Sequence, residues 1–114
     1  MSVKLNTRQV GDVNVVDVAG RITLGEGSSA LRDSLRDMVS KGHKKILLNL
    51  AEVSYIDSSG IGELVSGFTT VANQGGQLKL LALTKRVKDL LQITKLYTVF
   101  DVHDDEAGAI RSFT

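Results

Sequence analysis

Hydrophobic and polar residues change period several times along the chain. Alternation over 3–10 and again over 13–19 (VNVVDVA) predicts two strands, and Gly11-Asp12 between them predicts a hairpin turn. Gly20 ends the second strand. From 28 to 41 the period lengthens: Leu31, Leu35, Met38 and Val39 fall at i, i+4, i+7 and i+8, the stripe of an amphipathic helix. Ser28 or Ser29 is its expected N-cap and Gly42 its stop. A strand is expected at 45–50 (KILLNL). The clearest helix covers 58–73, where Ile61, Leu64, Val65, Phe68, Val71 and Ala72 trace one face before Gly75-Gly76. Residues 77–83 read as a strand. Thr84 then caps a short helix at 85–92, with Val87, Leu90 and Leu91 inward. Val99-Phe100 reads as a short edge strand. A last helix at 104–113 turns Ala107, Ile110 and Phe113 inward and carries acids in its first turn, where the helix dipole favours them.

Strand–helix–strand units of this length imply parallel pairing with right-handed crossovers. One face of each strand is apolar: Val16 and Val18; Ile46, Leu48 and Leu50; Leu78 and Leu80. The opposite faces carry Asp17, Asn49 and Lys79 among apolar residues. A parallel sheet covered on both faces reads as continuous apolar runs, and this one alternates. The expected fold is therefore α/β: a small mixed sheet of four or five strands, an N-terminal hairpin followed by parallel strands, with about four helices mainly on one face.

Composition adds limits. The 114 residues are 42% hydrophobic and 24% charged, the balance of a globular chain, and the length suits one domain spanning 1–114. Net charge is +1, too little for a nucleic-acid grip resting on bulk charge. Absence of cysteine excludes disulfides and thiolate metal sites, and fits a cytoplasmic setting. No apolar run approaches membrane-spanning length, and the N-terminus lacks a signal-peptide core. There is neither a P-loop nor a dinucleotide fingerprint, so no cofactor and no metal is expected.

The stretch that carries chemistry is 53–62 (VSYIDSSGIG), which leaves a buried strand and enters the best helix. Asp57 or Ser58 would sit at the N-cap and accept orphan backbone N–H groups. Gly60 and Gly62 fall in the first turn, where each costs the helix up to ~1 kcal/mol relative to alanine. That cost points to something approaching the backbone closely, either a strand or another molecule. A serine at an exposed helix start can also accept a phosphate, whose charge of about −1.5 to −2 the helix N-terminus would stabilise. Spacing alone is satisfied by a plain cap. Residues 64–78 contain no charged side chain, and the outer helix face (Ser59, Gly62, Glu63, Ser66, Thr70, Asn73) is small and polar. Such a face suits the charge-depleted centre of an interface, and equally an ordinary polar surface.

These residues resemble the STAS domain family, specifically its stand-alone anti-sigma factor antagonists of bacterial partner-switching systems. The resemblance lies in Ile46-Leu47-Leu48-Asn49-Leu50, in the run from Val53 to Gly62 with its Asp57-Ser58-Ser59-Gly60 core, in Gly75-Gly76, and in element order over nearly the whole chain. It implies that Ser58 is a phosphorylation site and that the protein is a regulator, not an enzyme. It implies a partner that is both anti-sigma factor and serine kinase, bound when Ser58 is unphosphorylated and released by phosphorylation, and a serine phosphatase that resets the cycle. It implies that Asp57 orients Ser58 or caps the helix, and that Ser59, Gly60, Ile61 and Gly62, with Glu63 and Ser66, shape the docking surface. It leaves room for weak nucleotide binding. The alternative it allows is a constitutive subunit of a transporter or stress-signalling assembly, without a phosphorylation switch.

The sequence departs from the family pattern after Gly20. Members often carry an acid a few positions on; Thr23 stands there, and Glu26 is the nearby acid that could substitute in contacting the partner. His43 and His103 read as surface histidines, although a triad with Ser58 is open to spacing alone. Asp104, Asp105 and Glu106 read as an acidic helix start, and Lys85, Arg86 and Lys88 as a small basic cluster that either is a solvated helix face or contacts an acidic partner or a nucleotide phosphate.

Overall fold

The structure is a computed structural model and describes residues 3–113. Five strands and four helices follow in the order β1 (Val3–Val10), β2 (Val13–Ile22), α1 (Glu26–Ser40), β3 (Lys45–Ile56), α2 (Ser58–Asn73), β4 (Gln77–Leu81), α3 (Lys85–Ile93), β5 (Val102–His103) and α4 (Glu106–Ser112). One sheet takes them in the order β1-β2-β3-β4-β5. The first pair is the expected antiparallel hairpin, closing at Val10↔Val13, and the other pairs are parallel. The mixed α/β architecture is as the alternation implied.

Face parity divides the core. Val16, Val18, Ile46, Leu48, Leu50, Leu78 and Leu80 bury on one side beneath Leu31 and Leu35 of α1, Leu64 and Val71 of α2, and Val87 and Leu91 of α3. The other face holds a smaller cluster of Val13, Val15, Leu47 and Leu81 beneath Ala109 and Phe113. Three helices thus share one face and α4 alone covers part of the second. The polar residues expected on that second face form a network. Arg8 spans Asp17 at 2.7 Å and Glu106 at 2.6 Å, and Asn49 donates to Asp17 at 2.9 Å. Lys79 pairs with Asp101 at 2.9 Å and donates to the Ser112 carbonyl.

Several expected boundaries move. β3 runs to Ile56 instead of ending at Leu50, because its second half pairs with the end of β2; Ala51 and Glu52 are exposed since β4 stops opposite Asn49. The register of β2 on β3 shifts twice on the way, between Asp17 and Ala19 and between Gly20 and Arg21. α1 starts at Glu26 with Gly25 as its N-cap, so neither Ser28 nor Ser29 caps it. Ser28 lies inside the first turn, buried against α2. The final strand is Val102–His103 and not Val99-Phe100; Phe100 instead buries edge-to-face on Phe68, with centroids 5.5 Å apart. In α4 the cap is Asp105, which leaves Ala107 exposed and Ala109 inward. No helix among the described residues is long and apolar enough to cross a membrane.

Candidate functional site

β2 and β3 end side by side, with Ile22 opposite Ile56. The chain then passes through Asp57 into α2. Asp57 is extended, with φ −110° and ψ −175°, and its Oδ1 accepts the Gly60 N–H at 3.0 Å. This is an N-cap that satisfies one of the orphan donors of the first turn. The same carboxylate does more. Its Oδ2 accepts the Leu24 N–H at 3.0 Å, and Oδ1 accepts the Ser59 hydroxyl at 2.6 Å. The Asp57 N–H reaches the Ile22 carbonyl at 3.2 Å. Burial pushes the Asp57 pKa upward, but the bonds from Ser59, Gly60 and Leu24 outweigh it and hold the carboxyl below the usual aspartate value. Ser59 Oγ also lies 2.8 Å from Ser28 Oγ, which extends the chain of polar contacts into α1.

Ser58 stands outside this network. It is the first residue of α2, it is exposed, and its hydroxyl bonds to no described residue. The ionised Asp57 already occupies the Gly60 N–H, so that first-turn donor is not free for another anion.

The two first-turn glycines answer to different neighbours. A Cβ at Gly60 would sit 2.6 Å from both the Ile22 carbonyl oxygen and Ile56 Cγ1, so glycine is needed where α2 crosses the end of β2. At Gly62 nothing lies within 4 Å, and no internal contact explains the glycine.

The remaining expected site residues divide. Gly62 and Ser66 on α2 and Glu26 at the start of α1 are exposed. Ile61 is only 3% exposed and belongs to the core, so it supports the surface from beneath. Ser59 faces Ser28, and Glu63 faces Arg32 at 3.4 Å, which removes both from the open outer face that helical projection assigned them. Thr23 is half-buried; its carbonyl accepts the Ser28 N–H at 3.0 Å, anchoring the loop to α1.

Sequence reading missed two neighbours of Ser58. Leu24 is 81% exposed and is tethered through its backbone to Asp57; a lone leucine between a polar residue and Gly25 was its only signal. Tyr55 is flanked by Arg21 and Arg86, whose guanidinium carbons lie 4.8 and 4.3 Å from the ring centroid. Nothing in the sequence joins Arg86 to that strand pair. Of the other candidates, Asp105 caps α4 and Glu106 pairs with Arg8. His103 contacts Asp101 at 3.1 Å and Ser112 at 3.4 Å, and no histidine bonds to Ser58 among the described residues. Among the described residues no group of three or more His, Cys, Asp or Glu side chains could hold a metal.

The chain was compared with known proteins. It is 32% identical over 111 residues to the anti-sigma-B factor antagonist of Bacillus subtilis, covering 97% of this chain and 100% of that protein. Its fold is similar to that of a candidate anti-sigma factor antagonist from Thermotoga maritima, with TM-score 0.88 and 24% identity over 96% of this chain and 93% of that one. It is similar also to the Bacillus cell-fate determinant SpoIIAA, solved in its phosphorylated form, with TM-score 0.74 and 19% identity over 95% and 97% of the two chains. The family model described as the STAS domain matches residues 4–109, and the chain, with its mixed sheet and Asp57-capped helix, belongs to the STAS domain family.

Proposed function

We propose that residues 1–114 are one STAS domain acting as an anti-sigma factor antagonist, a non-enzymatic cytoplasmic regulator switched by phosphorylation of Ser58. The observation that carries the reading is the isolation of the Ser58 hydroxyl. Its neighbours Asp57 and Ser59 are bonded inward, so they hold the turn while Ser58 alone remains available. Likeness to proteins named as anti-sigma factor antagonists supports the partner class, and a relative of the same fold solved in a phosphorylated form supports the modification.

Unphosphorylated protein binds an anti-sigma factor that is also a serine kinase, and so frees the sigma factor. Transfer of the terminal phosphoryl group of ATP to Ser58 Oγ places a dianion beside the Asp57 carboxylate. The turn is already satisfied without Ser58, so the fold persists. Release follows from added bulk and like-charge repulsion at the docked surface. A serine phosphatase restores the binding form.

The test is mass-spectrometric mapping of the protein from its own cells under growth and stress, together with Ser58→Ala and Ser58→Asp variants. Phosphate on Ser58 that changes with conditions, a Ser58→Ala variant that binds but is not released by ATP, and weakened binding by Ser58→Asp are expected. Unmodified Ser58 in every condition, with the protein held at fixed stoichiometry in an ATP-insensitive complex, would overturn the switch in favour of a constitutive subunit.

A further inference from the structure

We infer that Arg21, Tyr55 and Arg86 form a cationic–aromatic anchor for a carboxylate-bearing segment of the partner protein, next to the Ser58 surface. The inference rests on the proposed antagonist role only for the identity of that partner.

The anchor is assembled from three elements. Arg21 and Tyr55 are register partners at the ends of β2 and β3, and Arg86 comes from the first turn of α3. Both guanidiniums lie within cation–π range of one half-buried ring. Stacking orders two long side chains while leaving their N–H donors at the edges unused, which lowers the entropy lost when an oxygen ligand arrives. Neither guanidinium has a carboxylate partner among the described residues, in contrast to Arg8 and Arg32. Asp57 is engaged in its cap, and Asp89, which shares the hollow with Arg86, pairs with Lys85 at 2.8 Å. Two cations sharing one ring without a counter-charge favour an anionic occupant.

Two further observations select a protein segment over a small anion. The anchor is bordered by partly apolar surface: Arg86 also lines a hollow of about 310 Å³ along α3 with Asp89, Leu90 and Ile93, and Ile93 is 76% exposed. Leu24, 81% exposed, follows Arg21 by three residues and is tied to Asp57. Arginine and tyrosine beside exposed aliphatic side chains are the chemistry of interface hot spots, and a free phosphate would leave the aliphatic part unused.

The experiment is an NMR titration of the full chain labelled with 15N, following the Arg21 and Arg86 side-chain N–H signals and the backbone of Tyr55. The probe is a synthetic peptide of alternating Glu and Leu. Controls are the same peptide with Gln for Glu, inorganic phosphate, ATP, and phosphatidylglycerol vesicles. Saturable shifts with the acidic peptide, weakened about tenfold or more in the Arg21→Gln/Arg86→Gln double variant and by raised salt, are expected. Lys41→Gln, a control at the opposite end of α1, should leave binding unchanged. Equal binding of the Gln peptide, tighter saturation by phosphate or ATP, response to vesicles alone, or no saturable shift would each overturn the anchor. A second arm separates it from the switch. If a kinase phosphorylates Ser58 yet binds the double variant as tightly as the wild type, the anchor falls and the switch stands. If Ser58 is never phosphorylated and the peptide result holds, the anchor stands and the switch falls.

Discussion

Asp57 accepts the Leu24 backbone N–H at 3.0 Å and so ties the loop after β2 to the start of α2. One carboxylate thereby fixes both sides of the surface on which Ser58 is exposed. Capping and loop positioning are thus two roles of one side chain, and Asp57 holds the backbone on both sides of Ser58.

That role has a pH signature. The Asp57 pKa in the folded chain lies below the unfolded value of about 3.9, so its contribution is fully present above that value and is lost as pH falls through the folded-state pKa. Asp57→Asn keeps the cap shape but removes the charge. In urea unfolding, the variant is expected to be less stable by about 1 kcal/mol at pH 7, the difference between charged and neutral acceptors, with the gap closing toward pH 3. A gap independent of pH would show that the ionised form is not what the turn requires.

The glycines of the first turn should respond in opposite directions. Gly60→Ala places a methyl against the Ile22 carbonyl and Ile56, and is expected to destabilise by about 1–3 kcal/mol. Gly62→Ala meets open space and gains helix propensity, up to about 1 kcal/mol, visible as a higher Tm. If Gly62 serves close approach of the partner, the same stabilised variant binds it more weakly. Unchanged binding would assign Gly62 no role in docking.

Leu24→Ser tests the exposed loop. With 81% of the residue in solvent, stability should stay within about 0.5 kcal/mol of wild type. Partner affinity, measured by calorimetry, should fall. Equal affinity would remove the loop apex from the interface.

Arg8 probes the second sheet face. It joins β1, β2 and α4 through Asp17 and Glu106, but it is 40% exposed, so Arg8→Ala should cost no more than about 1 kcal/mol globally. The local effect should be larger: amide exchange in α4 is expected to accelerate while exchange in β3 does not. Unaltered protection of α4 would mean that Ala109 and Phe113 alone hold it.

The sequence, through its hydrophobic periodicity, was enough to place most of the core and the order of the elements, although Ala107, expected inward, is exposed. Its periodicities placed α2 over 58–73, paired Val16, Ile46 and Leu80 on one face, and put polar Asp17, Asn49 and Lys79 on the other. Those features depend on side-chain period and local caps, both written in neighbouring residues. It also singled out Asp57-Ser58, since capping is local.

What only the tertiary structure decided depends on contacts between distant segments. β3 extends to Ile56 because β2 lies alongside it, α1 begins at Glu26 because its first turn packs on the end of β2, and Ser28 turns from cap to buried partner of Ser59. The exposure of Ser58 beside a half-buried Ser59 follows from the rotation of α2 on the sheet, which Gly60 permits. The stacking of Arg86 on Tyr55 follows from the return of α3 to the same strand ends. Neither has a local periodic signal, because each is set by packing between segments that meet only when the sheet is assembled.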